Sequence, residues 1–204
     1  MAGSTFQTLL MAAPSSVPDY EMTISTNQLK LDLHAYAITD GWNETDRLVV
    51  TINSGVYIWS DDTATAALDM GGTFSGGCEI NLNGYIMGMG GTGGGFDGSY
   101  NLINPAAGGP AFNATDDVTI IGGTSAYIGG GGGGGGSAIK VTLFSELYAG
   151  GGGAGGGAGG RAHDEIGGTG GAVGASGNDG SANTSPTTTK GRGGSGGGGG
   201  GSQT

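Results

Sequence analysis

The chain has 204 residues, a formal net charge of −11 and 52 glycines, of which all but three lie at or after Gly71. This length suits one domain or two small ones. The excess of acidic side chains disfavours binding to nucleic acid or to anionic membrane surfaces. The single cysteine, Cys78, excludes an internal disulfide and a cysteine-based zinc site. We expect no membrane insertion and no Sec-type secretion, because the sequence offers neither an apolar span nor a signal-like start.

The first 70 residues have an ordinary composition and carry one predicted helix. Pro14 and Pro18 oppose a helix near the start, and residues 22–25 fit one strand. A rough helical stripe of apolar side chains follows. Asn27 can cap its beginning, and Gly41 provides a stop at its end. We therefore predict one short helix over residues 29–40.

Beyond the helix, the hydrophobic period changes to two. Residues 47–52 alternate as in a strand, residues 53–55 suit a turn, and residues 56–59 indicate a second strand. The same unit of strand, turn and second strand recurs, and tyrosines mark its second strand at Tyr57, Tyr85, Tyr127 and Tyr148. Units that cannot bury a face alone bury it against their neighbours. We therefore predict a mostly β fold of solenoid-like units with one short N-terminal helix.

Runs of glycine follow the last three of these tyrosines. The longest covers residues 129–136, and later runs include residues 150–153, 155–160 (interrupted by Ala158) and 196–201. A glycine run has no side chains to bury, but it can form an extended threefold helix whose amides bond to neighbouring chains. A flexible linker is the alternative. The unequal segments between the runs favour packed polyglycine-II-type helices joined by loops.

Two parts of the sequence resemble the receptor-binding tail proteins of tailed bacteriophages. The first consists of residues 41–43, 49–58 and 80–91 (GWN, VVTINSGVYI and INLNGYIMGMGG), which are similar to a module near the ends of phage tail-tip proteins. The second is the set of glycine runs with variable loops, which is similar to the distal adhesins of T-even-like phages.

The resemblance implies an adhesin of the virion, at the tail tip or tail fibre, without catalysis and without a cofactor. It implies polyglycine helices whose loops contact a host outer-membrane protein or surface glycan. Its other partners would be tail-tip or fibre proteins, and a homotrimer would match the usual symmetry of fibres. We expect residues 1–70 to form an attachment and β region with the helix, and residues 71–204 to form the receptor-binding region.

Polar and aromatic side chains between the glycine runs are the candidate receptor contacts. They fall in three segments, whose proposed contact residues are Phe96 and Tyr100 in the first, Arg161, His163, Asp164 and Glu165 in the second, and Asn178, Asp179, Asn183, Lys190 and Arg192 in the third. A solvated loop without a role is the alternative for each segment, and for the two aromatic residues it is packing over the glycine runs.

Other functions have less support in the sequence. Two histidines and one cysteine without a paired motif give no catalytic triad, and no metal site is expected. A structural virion decoration without receptor contact is the main alternative. An ice-binding protein would need regular threonine faces, of which residues 187–189 are one short run. A flexible matrix protein is a further alternative.

Overall fold

The computed structural model describes residues 17–96, 102–134, 138–140 and 146–148, and it describes side chains within residues 17–94 and 102–134. This part of the chain is mostly β, with one short helix, which confirms the predicted fold class at that level. The elements in chain order are β1 (Asp19–Ile24), β2 (Gln28–Leu29), β3 (Leu31–Asp32), α1 (Leu33–Asp40), β4 (Arg47–Ile52), β5 (Tyr57–Trp59), β6 (Leu68–Asp69), β7 (Cys78–Leu82), β8 (Tyr85–Met87), β9 (Gly95–Phe96), β10 (Leu102–Ile103), β11 (Phe112–Asn113), β12 (Thr119–Gly122), β13 (Tyr127–Gly129), β14 (Ala138–Lys140) and β15 (Glu146–Tyr148).

Eleven of these strands form three parallel sheets. Sheet A has the order β1-β4-β7-β12, sheet B the order β2-β5-β8-β13, and sheet C the order β3-β6-β11. The chain therefore visits the sheets in the same order on successive passes, and each strand pairs in parallel with its counterpart from the pass before. Sheet A takes strands from both sides of residue 70, so the β structure continues into the glycine-rich half.

The three sheets enclose one hydrophobic core, and we call this unit the β body. Strand β4 shows why its sequence suits it: Leu48, Val50 and Ile52 are fully buried, while the residues between them are half-buried. Ile58 of sheet B and Leu68 of sheet C are also fully buried, and all five belong to a single core cluster. Burial of apolar surface against all three sheets stabilises the β body.

Helix α1 lies between the first and second passes of the chain. Asp32 caps its beginning, because its Oδ1 accepts a hydrogen bond from the Ala35 amide at 2.9 Å. Gly41 ends it in the left-handed conformation, with φ of 116°, and its N–H donates to the Ala37 and Ile38 carbonyls. The predicted end of the helix is correct. The predicted beginning is wrong, because residues 28–32 pair into sheets B and C instead.

The first three tyrosine-centred units stack in register. Tyr57 pairs with Tyr85, and Tyr85 pairs with Tyr127, within sheet B. The fourth unit differs, since β14 and β15 pair antiparallel with each other. Sheet C adds strands that the sequence pattern does not predict. One of them, β11, places Phe112 half-buried against the core, beside Leu68. Two-residue strands carry too little periodicity to be recognised in a sequence.

Candidate functional site

Glycine-rich backbone extends from the β body in three described segments. We call them glycine segment 1 (residues 88–94), glycine segment 2 (residues 105–110) and glycine segment 3 (residues 129–134). Segment 1 follows directly from β8, segment 3 continues β13, and segment 2 leads back to β11. Sheet B is therefore the base from which two of the segments leave the β body.

Segments 1 and 3 run parallel and are joined through their backbones. The Gly88 amide donates to the Gly129 carbonyl at 3.0 Å, and the Gly91 amide donates to the Gly132 carbonyl at 2.8 Å. The first of these bonds extends the pairing of β8 with β13. Both partners then advance by three residues to the next bond, which differs from the two-residue repeat of a β ladder.

Segment 2 runs antiparallel to both of the others. Its Gly109 and Ala106 amides donate to the Met89 and Thr92 carbonyls of segment 1, at 2.7 and 2.8 Å. Segment 2 also accepts hydrogen bonds from segment 3. The Gly131 amide donates to the Gly109 carbonyl at 2.8 Å, and the Gly134 amide donates to the Ala106 carbonyl at 2.9 Å. Each of the three segments is thus bonded to the other two, again at every third residue.

This close approach explains the glycines at the contact positions. A Cβ atom at Gly91 would overlap the Ala106 carbonyl, and one at Gly108 would overlap the Gly131 carbonyl. A Cβ atom at Gly131 would likewise overlap the carbonyl of Met89. Backbone is not displaced as easily as the end of a flexible side chain, so only glycine fits these positions.

A hairpin joins segments 1 and 2 at the end away from β8. Its strands β9 and β10 pair antiparallel, with Gly95 opposite Ile103 and Phe96 opposite Leu102. Leu102 and Ile103 are 60% and 50% exposed. The hairpin therefore presents apolar surface at the tip of a backbone-bonded support.

The loop of residues 60–67 braces segment 2 against the β body. Asp62 accepts hydrogen bonds from the Ala64 and Thr65 amides and from Lys30 Nζ, the last at 3.0 Å. These hydrogen bonds lower the pKa of Asp62 to about 2, and the bond from Lys30 has the largest effect. Ala67 donates to the Pro110 carbonyl at 3.3 Å. No pattern in the sequence predicts this brace, because Asp62 and its partner Lys30 are 32 residues apart.

Most of the predicted contact residues lie outside the described part of the chain. Phe96 is in β9, where only its backbone is described, and Tyr100 lies beyond the described residues of the hairpin. The remaining nine also fall outside, namely Arg161, His163, Asp164, Glu165, Asn178, Asp179, Asn183, Lys190 and Arg192. Their roles as receptor contacts stay predictions.

Among the described residues, the potentially reactive side chains of Cys78 and His34 pack against other side chains of the fold. Cys78 is buried in the core, and burial raises the pKa of its thiol to about 12, which keeps it protonated at neutral pH. His34 packs edge-on against Trp42 and Phe74, with ring centroids 5.4 and 5.6 Å away. Within the described ranges, no group of three histidine, cysteine or acidic side chains is placed to hold a metal ion.

The sequence also matches a known protein family. The family model described as phage tail fibre adhesin Gp38 matches residues 19–204. The chain belongs to this family. The adhesin is thus a protein of the virion tail, associated with the tail structure and the host surface. Adhesins typically act by binding and not by catalysis. Comparison with curated proteins and with solved structures finds no match.

The match covers the β body and the glycine-rich half together. The matched range includes both parts of the sequence that carried the resemblance, residues 41–91 and the glycine runs. Among the described segments of the adhesin, no helix is long and apolar enough to cross a membrane.

Proposed function

We propose that the adhesin binds a host cell-surface receptor through loops held on a rigid glycine scaffold, and that it acts without catalysis. The hydrogen bonds at every third residue carry this proposal, because they fix strands β9 and β10 of the hairpin relative to the β body without a hydrophobic core. A tip that is held in place before binding loses less entropy when it meets its partner.

The same bonding pattern supports a finer description of the scaffold. We propose that glycine segments 1, 2 and 3 are polyglycine II helices, since a threefold helix turns an amide towards the same neighbour every third residue. The repeated order of sheets A, B and C supports a solenoid-like β body. The glycine runs after residue 134 would add further helices of the same kind.

We propose different roles for the N-terminal and C-terminal regions of the adhesin. Residues 1–70 attach to tail-tip or fibre proteins, and residues 71–204 contact the receptor, an outer-membrane protein or a surface glycan. The segments at residues 161–165 and 178–192 would join the hairpin in that contact. A homotrimer is the assembly expected from fibre symmetry, and light scattering of the purified chain tests it.

Adsorption of the purified full chain to intact bacteria tests receptor binding. The cells are strains that the parent phage infects, and competition with infection is scored on the same cells. We expect saturable binding and inhibition of infection. Failure to bind any of these strains, together with no effect on infection, would instead support a structural virion decoration.

Substitutions at the hairpin test its part in that binding. Leu102→Ser combined with Ile103→Ser removes the exposed apolar tip, and Ile38→Ser, on helix α1, removes a 42% exposed side chain from the β body as a matched control. Loss of an interface anchor weakens binding by about tenfold or more. We expect that loss for the hairpin variant, with an unchanged melting temperature, and full binding for the control. Equal adsorption by both variants would contradict a role for the hairpin.

A further inference from the structure

Three tyrosines form a column on the outer face of sheet B. Tyr57, Tyr85 and Tyr127 lie in register on successive strands, and their neighbours Ile58 and Ile86 are fully buried, so the tyrosines point away from the core. The rings of Tyr57 and Tyr85 are stacked, with centroids 4.8 Å apart and planes 11° from parallel.

The column changes at its third ring. Tyr127 turns towards Gly129, because a Cβ atom added at Gly129 would meet the Tyr127 phenol ring. Among the described rings, the parallel stack ends at Tyr85. One face of Tyr85 is therefore covered by Tyr57, while its other face is turned towards the strand of Tyr127, whose side chain is 41% exposed. An aromatic face can pack against an apolar ring face of a ligand.

A polar cleft lies at the turns that lead into these strands. It has a volume of about 220 Å³ and is lined by Ser54, Asn83, Thr124 and Ser125. Asn83 and Ser125 each come two residues before a tyrosine of the column, which places their backbones within about 7 Å of it. The three hydroxyl side chains are exposed and Asn83 is half-buried. Hydroxyls donate and accept hydrogen bonds, and a carboxamide offers both functions side by side.

The charge of the side chains at this site indicates which class of ligand it can bind. The four residues of the cleft and the three tyrosines are all uncharged, in a chain whose net charge is −11. A phosphate or carboxylate ligand would find no cation in this set, and a cationic ligand would find no carboxylate. Apolar ring faces beside convergent hydroxyl and amide groups instead suit a neutral polyol.

We propose that the cleft and the face of Tyr85 turned away from Tyr57 bind a neutral hexopyranose of a bacterial surface glycan. The C–H face of the sugar ring packs against Tyr85, and its hydroxyls exchange hydrogen bonds with Asn83 and Ser125. This site lies on the side of the β body, apart from the hairpin proposed to contact the receptor. It gives the adhesin a second and weaker hold on the cell surface.

Nuclear magnetic resonance titration of the full chain tests this site. The probes are neutral gluco-, galacto- and manno-oligosaccharides, with oligogalacturonate as the acidic comparison. At least one neutral probe should shift the Asn83 and Ser125 amide signals with a Kd on the order of 1 mM, typical of a small shallow site. Absence of any saturable shift, shifts confined to other surfaces, or an equal response to oligogalacturonate would overturn the proposal.

Variants separate binding from folding in this experiment. Tyr85→Ala and Asn83→Ala should each abolish the titration, while Tyr85→Phe, which keeps the ring, should retain it. Thr51→Ala is the matched control on the outer face of sheet A. Circular dichroism melting confirms that each variant folds. If Tyr85→Ala folds and still binds like the wild type, the ring face does not hold the sugar. Adsorption through the hairpin is measured separately, so either proposal can fail alone.

Discussion

At the scale of single residues, the position of a glycine within its run decides whether it can be replaced. Gly131 and Gly133 are only two residues apart in glycine segment 3. A Cβ atom at Gly131 would overlap the Met89 carbonyl, whereas at Gly133 the nearest described atom is the Ala106 carbonyl oxygen, 3.8 Å away. The first position has no room for a methyl group, and the second makes an ordinary van der Waals contact.

We expect Gly131→Ala to lower the free energy of unfolding by about 1–3 kcal/mol, the range for an overpacked interior. Gly133→Ala is the matched control, and it should leave the free energy of unfolding nearly unchanged. Denaturant unfolding followed by circular dichroism measures both. Equal effects of the two substitutions would show that the segments do not pack through these carbonyl contacts.

The acid side of the stability profile depends on Asp62. Its pKa is about 2 in the folded chain, below its usual value of 3.8, so folding favours the ionised carboxylate. The resulting stabilisation is complete above about pH 4 and is lost as the pH falls towards 2. Asp62→Asn removes the ionisation. Melting temperatures at intervals from pH 6 to pH 2 should show a gap between wild type and variant that narrows below pH 4. A gap that stays constant across this range would contradict the role of the carboxylate.

At the scale of elements, the three glycine segments behave unlike the strands from which they emerge. In a strand, successive side chains alternate between two faces, but here the bonding repeats every three residues. The amide groups of Gly91, Gly109 and Gly131 each have a backbone partner at 2.7–2.8 Å. Hydrogen-bonded amides of this kind exchange their hydrogens mainly when the structure opens locally.

Hydrogen exchange measured by nuclear magnetic resonance therefore tests the scaffold directly. We expect slow exchange at residues 88 and 91, at residues 106 and 109, and at residues 131 and 134, which are the described donors. The exposed turn amides of Thr124 and Ser125 are the internal comparison and should exchange quickly. Fast exchange at the six donors would show that the glycine segments are not ordered in solution.

The elements also differ in how well the sequence predicts them. Strand β4 was predicted with its observed bounds, because six residues alternate cleanly between buried and half-buried positions. The short strands β3, β6 and β11 were missed, since two residues define no period. Of the candidate contact residues, only Phe96 falls in a described element. The brace at Asp62 was not predicted, because it depends on a contact with Lys30, which is 32 residues distant in the sequence.

At the scale of the whole molecule, the β body and the glycine segments are continuous. Sheet B passes into segments 1 and 3 without a linker, and Ala67 of the loop before β6 bonds to Pro110 in segment 2. The sequence indicated both kinds of structure, because the tyrosine repeat and the glycine runs are visible in it. It did not indicate which segments would pair, because glycine carries no side chain whose pattern identifies a partner.

The continuity of sheet B with two parallel segments has a mechanical consequence. If the virion is held at the hairpin, as proposed, drag from the surrounding fluid pulls along segment 1, and the hydrogen bonds of segment 1 pass the load to segments 2 and 3. The hydrogen bonds between these segments lie across that direction, so tension loads them together in shear and does not peel them apart one by one. The tether between particle and cell would therefore resist a brief pull better than the strength of any single backbone bond suggests.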